Sequence, residues 1–226
     1  MRENQGGMLT NMIECPTEYM QAQLELVKFL QEKQDVLSFD TVMSLTHTIL
    51  DYNDGHYTAW YCRRRALEQA ADPECYLMEL EFIRQFTLIH PKNYQVWRHR
   101  ECIVKRIGSV GDELEYLAFQ GDGREEEGDD NSIDGIDAKN YHAWQYRQWL
   151  VKHFALSLES ELSLINRLLS IDAHNNSAWN HRQFIRCVKK EWDAKSEMEF
   201  VNSVISKCKH ANESATKYMQ WIKALN

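Results

Sequence analysis

Two short stretches of the 226-residue chain gather side chains able to handle an anion. In PKNYQVW, Lys92, Tyr94 and Gln95 lie within four positions; in AKNYHAW, Asn140, Tyr141 and His142 are consecutive. An ammonium, phenols and an imidazole converging on one edge would suit a phosphate-bearing ligand and steady negative charge as it develops. Both stretches open a predicted helix, where free N–H groups and the positive dipole end favour an anion. Helix capping and solvated polar turns would use the same residue types, so this chemistry alone leaves both readings open.

The elements that position these residues follow from a repeat. The motif recurs as HYTAWYCRR (56–64), NYQVWRHRE (93–101), NYHAWQYRQ (140–148) and NNSAWNHRQ (175–183). A fifth copy, NESATKYMQ (212–220), has Thr216 where tryptophan is expected. Trp60, Trp97, Trp144 and Trp179 are separated by 37, 47 and 35 residues. The long interval contains GDGREEEGDD (121–130), and removing about eleven residues there restores the period. One supersecondary unit is used five times, with a single insertion.

Each unit reads as two helices. Apolar residues precede each motif at spacings of three and four, as in Val42, Leu45, Ile49, in Leu158, Leu162, Ile165, Leu169, and in Met198, Val201, Ile205, Cys208. That is the stripe one buried helical face requires. Turn-forming residues follow, then a second helix whose N-cap is predicted at Asn93, Asn140, Asn175 or Asn212. Six residues after each tryptophan the side chain is apolar: Ala66, Ile103, Leu150, Ile185. The pattern predicts an all-α solenoid over 37–226, preceded by a segment (1–36) with one helix. An acidic loop is expected near 121–132, interrupting a helix that begins DELEYLAFQ (112–120). A helical pair cannot bury its own apolar face, so the tryptophans are expected to pack the junctions. The arginine one turn later is expected to stack on an indole or bond exposed carbonyls. His99 and His181 share their repeat position with Cys62 and Tyr146, which excludes a metal-ligand set there.

Composition narrows the function. A net charge of −8 argues against a nucleic-acid binder, and −5 of it lies in 121–130. No run of eighteen apolar residues predicts a membrane span, and the first residues lack the apolar core of a secretory signal. Six scattered cysteines form no CxxC pair, pointing to reduced thiols in a cytoplasmic protein. A calcium loop from Asp129 fails at Ile133 and at Asn140, where a bidentate glutamate is needed.

The repeats PKNYQVW, AKNYHAW and NNSAWN resemble those of protein prenyltransferase alpha subunits, most closely the kind shared by protein farnesyltransferase and type I geranylgeranyltransferase. The resemblance runs from about residue 37 to the C-terminus and implies a right-handed superhelical crescent of antiparallel helical hairpins. It implies an obligate beta subunit that carries the catalytic Zn2+, the isoprenoid pocket and most of the peptide site, with Mg2+ for the diphosphate; no cofactor is implied on this chain. The product would be a thioether between a farnesyl or geranylgeranyl group and the cysteine of a C-terminal C-a-a-X motif, on substrates such as small GTPases.

By resemblance, Lys92 is the catalytic lysine that contacts the isoprenoid diphosphate, and Asn140, Tyr141 and His142 lie along it. Gln95 bonds the terminal carboxylate of the C-a-a-X tail, and Tyr94 and Tyr57 line the peptide cleft. The sequence departs from the pattern at His56, where asparagine is usual, at Thr216, and in having fewer helical pairs. Two alternatives remain: the alpha subunit of a Rab-type geranylgeranyltransferase, and a tetratricopeptide-like scaffold that only binds proteins, whose period of about 34 and late proline fit poorly.

Overall fold

A computed structural model describes residues 15–32, 38–117, 119, 136–189 and 191–225. The acidic insertion at 121–132 lies outside the described residues. The helices are α1 (Thr17–Glu32), α2 (Phe39–Tyr52), α3 (Tyr57–Ala70), α4 (Pro73–Ile89), α5 (Tyr94–Ile107), α6 (Glu113–Tyr116), α7 (Tyr141–His153), α8 (Leu158–Ile171), α9 (Asn176–Val188), α10 (Ala194–Ile205) and α11 (Glu213–Ala224). Among the described residues the only β pairing is one isolated parallel bridge, Phe119 to Ile136. The chain forms two compact units, one ending at Cys75 and one beginning at Tyr76.

In the first unit α1 packs on α2, and α2 on α3. Ala22 and Leu26 of α1 are buried, as are Val42, Ile49 and Leu50 of α2 and Ala59, Trp60, Ala66 and Leu67 of α3. The helix read within 1–36 is α1, and it stacks on the first repeat rather than standing apart from it.

In the second unit a continuous core runs from Trp97 to Ile222, through Trp144, Leu150, Ile165, Leu168, Trp179 and Ile185. The apolar positions six residues after each tryptophan are buried as expected. Every motif helix starts on a side-chain cap. His56 Nδ1 accepts from Ala59 N, Asn93 Oδ1 from Gln95 N, Asn175 Oδ1 from Ala178 N, and Asn212 Oδ1 from Ala215 N. Each cap satisfies an N–H that the helix cannot, an effect worth about 1 kcal/mol. His56 supplies through a ring nitrogen what asparagine supplies elsewhere, which accounts for its place in the first copy. Helix α5 ends on Gly108, whose φ of 75° places it in the left-handed region where a side chain is disfavoured.

The repeat is locked by two sets of polar bonds. Each tryptophan donates its indole N–H to the carbonyl six residues earlier: Trp60 to Asp54, Trp97 to Pro91, Trp144 to Ala138, Trp179 to Ala173. In the second unit the capping asparagine of the following copy donates to that same carbonyl. Asn140 reaches Pro91 O at 2.8 Å, Asn175 reaches Ala138 O at 3.2 Å, and Asn212 reaches Ala173 O at 2.6 Å. One carbonyl, with two lone pairs, thus fastens successive turns together.

The second set corrects the expectation for the motif arginines. In the second unit none of them rests mainly on an indole or an exposed carbonyl; each forks onto a buried glutamate of the next helix. Arg100 holds Glu113 through Nε at 2.7 Å and Nη2 at 2.6 Å, and Arg147 holds Glu161 through both at 2.8 Å. Arg182 holds Glu197 in the same way. In the second unit the residue two after the tryptophan position, which is Thr216 in the fifth copy, then closes the group: Tyr146 OH donates to Glu113, Tyr218 OH to Glu197, and His181 Nε2 lies 2.8 Å from Glu161. His99 Nε2 lies 2.6 Å from Glu79. The same rings pack on the preceding tryptophan, at centroid distances of 5.7 Å for Trp97–Tyr146, 4.8 Å for Trp144–His181 and 5.3 Å for Trp179–Tyr218. A flat ring with a polar tip satisfies both demands, so Tyr and His interchange here. Charges this buried are costly to separate, because an ion left alone cannot be rehydrated.

The helix expected from DELEYLAFQ is one turn, Glu113–Tyr116. Glu113 is drawn inward to Arg100, while Phe119 leaves the helix to stack on Trp144, with ring centroids 4.4 Å apart. The apolar stripes are also rotated from their predicted centres. In α8, Leu158 and Leu162 are half-buried, whereas Glu161, Leu164 and Leu168 are buried.

Candidate functional site

The two sequence-predicted edges sit on neighbouring turns of the second unit. The first is the α4–α5 turn with Lys92, Tyr94 and Gln95; the second is the turn into α7 with Asn140, Tyr141 and His142. The Asn140–Pro91 bond ties them together directly, one residue from Lys92.

Their roles in the scaffold differ. Asn140 is buried and both ends of its amide are used: Oδ1 accepts from His142 N at 2.9 Å and Ala143 N at 3.2 Å, and Nδ2 donates to Pro91 O. Gln95 is also buried, and its Nε2 donates to Tyr94 OH at 3.3 Å. Tyr141 is exposed, its hydroxyl accepting from Gln145 Nε2 at 2.6 Å, and its ring meets the half-buried His142 edge-on at 5.6 Å. Tyr94 is exposed at the equivalent first position of α5. Tyr57 is exposed too, at the first position of α3, in the first unit.

The two lysines that precede a capping asparagine separate scaffold from site. Lys139 is paired with Asp172 at 3.1 Å, across to the next turn. Lys92 stands at the same repeat position, is exposed, and among the described residues its ammonium makes no hydrogen bond or ion pair. Asp137, the acid that corresponds to Asp172, accepts from Lys139 N at 2.8 Å just as Asp172 accepts from His174 N at 2.9 Å, but among the described residues it forms no ion pair with Lys92.

The anion-binding argument from helix starts is narrowed by the caps. Gln95 N is taken by Asn93 Oδ1, and His142 N and Ala143 N by Asn140 Oδ1. The amides most available to a ligand are therefore already filled, and attraction for an anion falls mainly to Lys92 and the dipole ends. Among the described residues no group of three or more His, Cys, Asp or Glu is placed to hold a metal ion, and no helix is long and apolar enough to cross a membrane.

Sequence reasoning passed over the buried glutamates, Glu79, Glu113, Glu161 and Glu197, which hold the repeat in shape. A signal existed: each lies sixteen to nineteen residues after a motif tryptophan. Burial pushes the Glu161 carboxyl up, but the bonds from His181 and Arg147 outweigh it and bring it to about 2. For Glu197, burial is again opposed and outweighed, by Arg182, Tyr218 and Arg186, and the carboxyl lies below its ordinary range. His181 is lowered, because burial disfavours its charged form more than Glu161 favours it. It therefore bonds Glu161 as a neutral ring with Nε2 protonated.

A family model described as "Protein prenyltransferase alpha subunit repeat" matches residues 39–70, 76–107, 135–154 and 158–187. The fifth copy lies outside that match. Among curated proteins, the chain is similar to geranylgeranyl transferase type-2 subunit alpha of Bos taurus and of Mus musculus. Each is 33% identical over 75 residues, covering 30% of this chain and 13% of the relative. The match thus spans well under two thirds of either relative. Among solved structures, it is similar to a chain of the Candida albicans protein geranylgeranyltransferase-I complexed with GGPP. That likeness has a TM-score of 0.76 at 27% identity, over 94% of this chain and 68% of that chain.

Proposed function

Because the chain belongs to the protein prenyltransferase alpha subunit repeat family, we propose that it is the alpha subunit of a heterodimeric enzyme that prenylates C-a-a-X cysteines. The group transferred is farnesyl or geranylgeranyl, the donor its diphosphate, and the setting cytoplasmic. The observation that carries the reading is Lys92: an exposed ammonium, unpaired among the described residues, on the edge that Asn140 fastens to Tyr141 and His142. The similarity to a geranylgeranyltransferase-I chain solved with GGPP supports it.

In this reading the substrate cysteine sulfur attacks C1 of the allylic diphosphate. A C–S bond forms, the C–O bond breaks, and the bonding pair leaves on the diphosphate. Lys92 meets that growing negative charge in a cleft closed by the beta subunit, where a fixed cation counts for more than in water. Tyr141 and His142 extend the same edge along the donor, and Asn140 holds the two turns in register. Gln95 and Tyr94 are read as meeting the C-terminal carboxylate of the acceptor, and Tyr57, in the first unit, is read separately as a peptide contact. In this reading zinc would be held by the beta subunit, and Mg2+ would accompany the diphosphate.

The test is co-expression with each candidate beta subunit, followed by transfer assays on a C-a-a-X peptide with farnesyl and geranylgeranyl diphosphate. Transfer by a heterodimer and none by the chain alone is expected. A purified heterodimer that prenylates no C-a-a-X peptide with either donor would overturn the reading. The 75-residue likeness to type-2 alpha subunits favours a second one, in which the same heterodimer modifies only an escort-presented Rab-type substrate. Including that substrate in the assay separates the two.

A further inference from the structure

The cap of the first repeat differs from the others in how it answers to a proton. Asn93, Asn140, Asn175 and Asn212 cap their helices through a carboxamide oxygen, which does not titrate near neutral pH. Helix α3 is capped by His56, whose Nδ1 accepts from Ala59 N at 3.1 Å. An imidazole fills that role only while Nδ1 keeps its lone pair, and a neutral ring has one acceptor nitrogen. Nε2 therefore carries the proton, 3.1 Å from the side-chain amide of Gln23 on α1. The ring repeats what the asparagines do in the second unit. One end caps its own helix, and the other reaches back to a preceding element.

The surroundings of His56 offer a positive ring no counter-charge. The ring is half-buried, and on the α1 side it meets Gln23, which bonds the Tyr19 hydroxyl at 2.8 Å. Asn53, at the end of α2, donates to that same hydroxyl at 3.4 Å. The acids on these elements are turned to other groups. Glu18 of α1 accepts from Tyr52 OH at 3.4 Å, Asp51 of α2 lies 3.3 Å from His47, and Asp54 in the turn lends its carbonyl to Trp60. Among the described residues His56 forms no ion pair, and a cation at the start of α3 would also face the positive end of the helix dipole. Burial pushes the His56 pKa below its ordinary 6.5, opposed only in part by its own backbone. The capping bond is therefore fully present above 6.5 and is lost as pH falls through the lowered value.

We propose that His56 makes the start of α3 a proton-controlled latch in the first unit. The neutral ring holds the first turn of the helix. Protonated at Nδ1, it turns an N–H toward the N–H of Ala59, and the two donors part. The first turn, Tyr57 to Ala59, then frays, because its orphan N–H groups have lost the side chain that satisfied one of them. No asparagine cap responds in this way, so the sensitivity belongs to the one repeat that departs from the motif.

The experiment follows the Ala59 amide of the full chain by NMR hydrogen exchange from about pH 7.5 to about pH 5, above the range of ordinary carboxylates. Its protection, corrected for the intrinsic pH dependence of exchange, is expected to fall about fivefold, with the midpoint of the His56 ring. Ring nitrogen shifts at the upper end should show Nε2 protonated and Nδ1 bare. In His56→Asn the protection should stay level across the range, since asparagine caps the other copies; in His56→Ala it should be low throughout. Circular dichroism checks that both variants are folded. A ring protonated on Nδ1 at about pH 7.5 overturns the proposal. So does protection that fails to follow the ring, or an equal fall in folded His56→Asn.

Discussion

Replacing Glu161 by glutamine keeps the shape of the side chain and removes its charge from the centre of the second unit. In the native chain this buried carboxylate accepts from Arg147 twice, each at 2.8 Å, and from His181 at 2.8 Å. Burial alone would raise its pKa; the bonds from His181 and Arg147 instead bring it from 4.5 to about 2. That lowering corresponds to about 3 kcal/mol of folding free energy at neutral pH. The sign follows from the direction: stability is fully present above the ordinary value near 4.5 and is lost as pH falls toward 2. His181 adds to the acid sensitivity, since burial lowers its pKa and protonation below 6.5 favours the unfolded chain. In Glu161→Gln, Arg147 stays buried without its counter-charge, for which a cost of about 3 kcal/mol agrees with what broken buried pairs show. Urea unfolding at pH 7 should show that loss, and the melting temperature should drop by about 6–12 °C. The gap between variant and wild type should narrow steadily from pH 4.5 down to pH 3. A variant within about 1 kcal/mol of wild type at pH 7 would refute the reasoning, as would a gap that stays constant with acid.

Three further outcomes are expected. Lys92→Ala should lower single-turnover prenyl transfer about ten- to a thousandfold while the heterodimer still assembles; wild-type turnover would remove Lys92 from the site. Asn140→Ser keeps a capping oxygen but loses the bond to Pro91, costing about 1 kcal/mol in denaturant unfolding. It should also slow turnover, and in a double-mutant cycle that effect should largely vanish on a Lys92→Ala background; full additivity would show that Asn140 does not act through the Lys92 turn. Trp179→Ala should destabilise by about 3–5 kcal/mol in the same unfolding assay, as removal of a buried indole that packs on Tyr218 requires.

Much of this organisation was legible along the chain. The tryptophans, the capping asparagines and the apolar position six residues later recur at one period, and each acts within its own hairpin or on the next. The glutamates were hidden because an acid inside an apolar stripe reads as a solvent-facing residue until an arginine on another helix is seen to hold it. Glu161 and Glu197 lie within the buried faces of α8 and α10 for that reason. The one-turn α6 was missed because what ends it, Phe119 stacking on Trp144, is a contact across 25 positions of sequence.

The sequence by itself determined the hairpins, their starts and their repetition, since capping and helical periodicity depend on residues a few positions apart. Only the tertiary structure decided which of two equivalent lysines is left open and which equivalent arginine keeps an unused arm. Lys139 meets Asp172 while among the described residues Lys92 meets no acid, and Arg182 Nη1 meets Asn166 while Arg100 Nη1 meets no acceptor among them. Those differences arise where side chains distant in sequence are packed against one another, so identical motifs end in different chemistry.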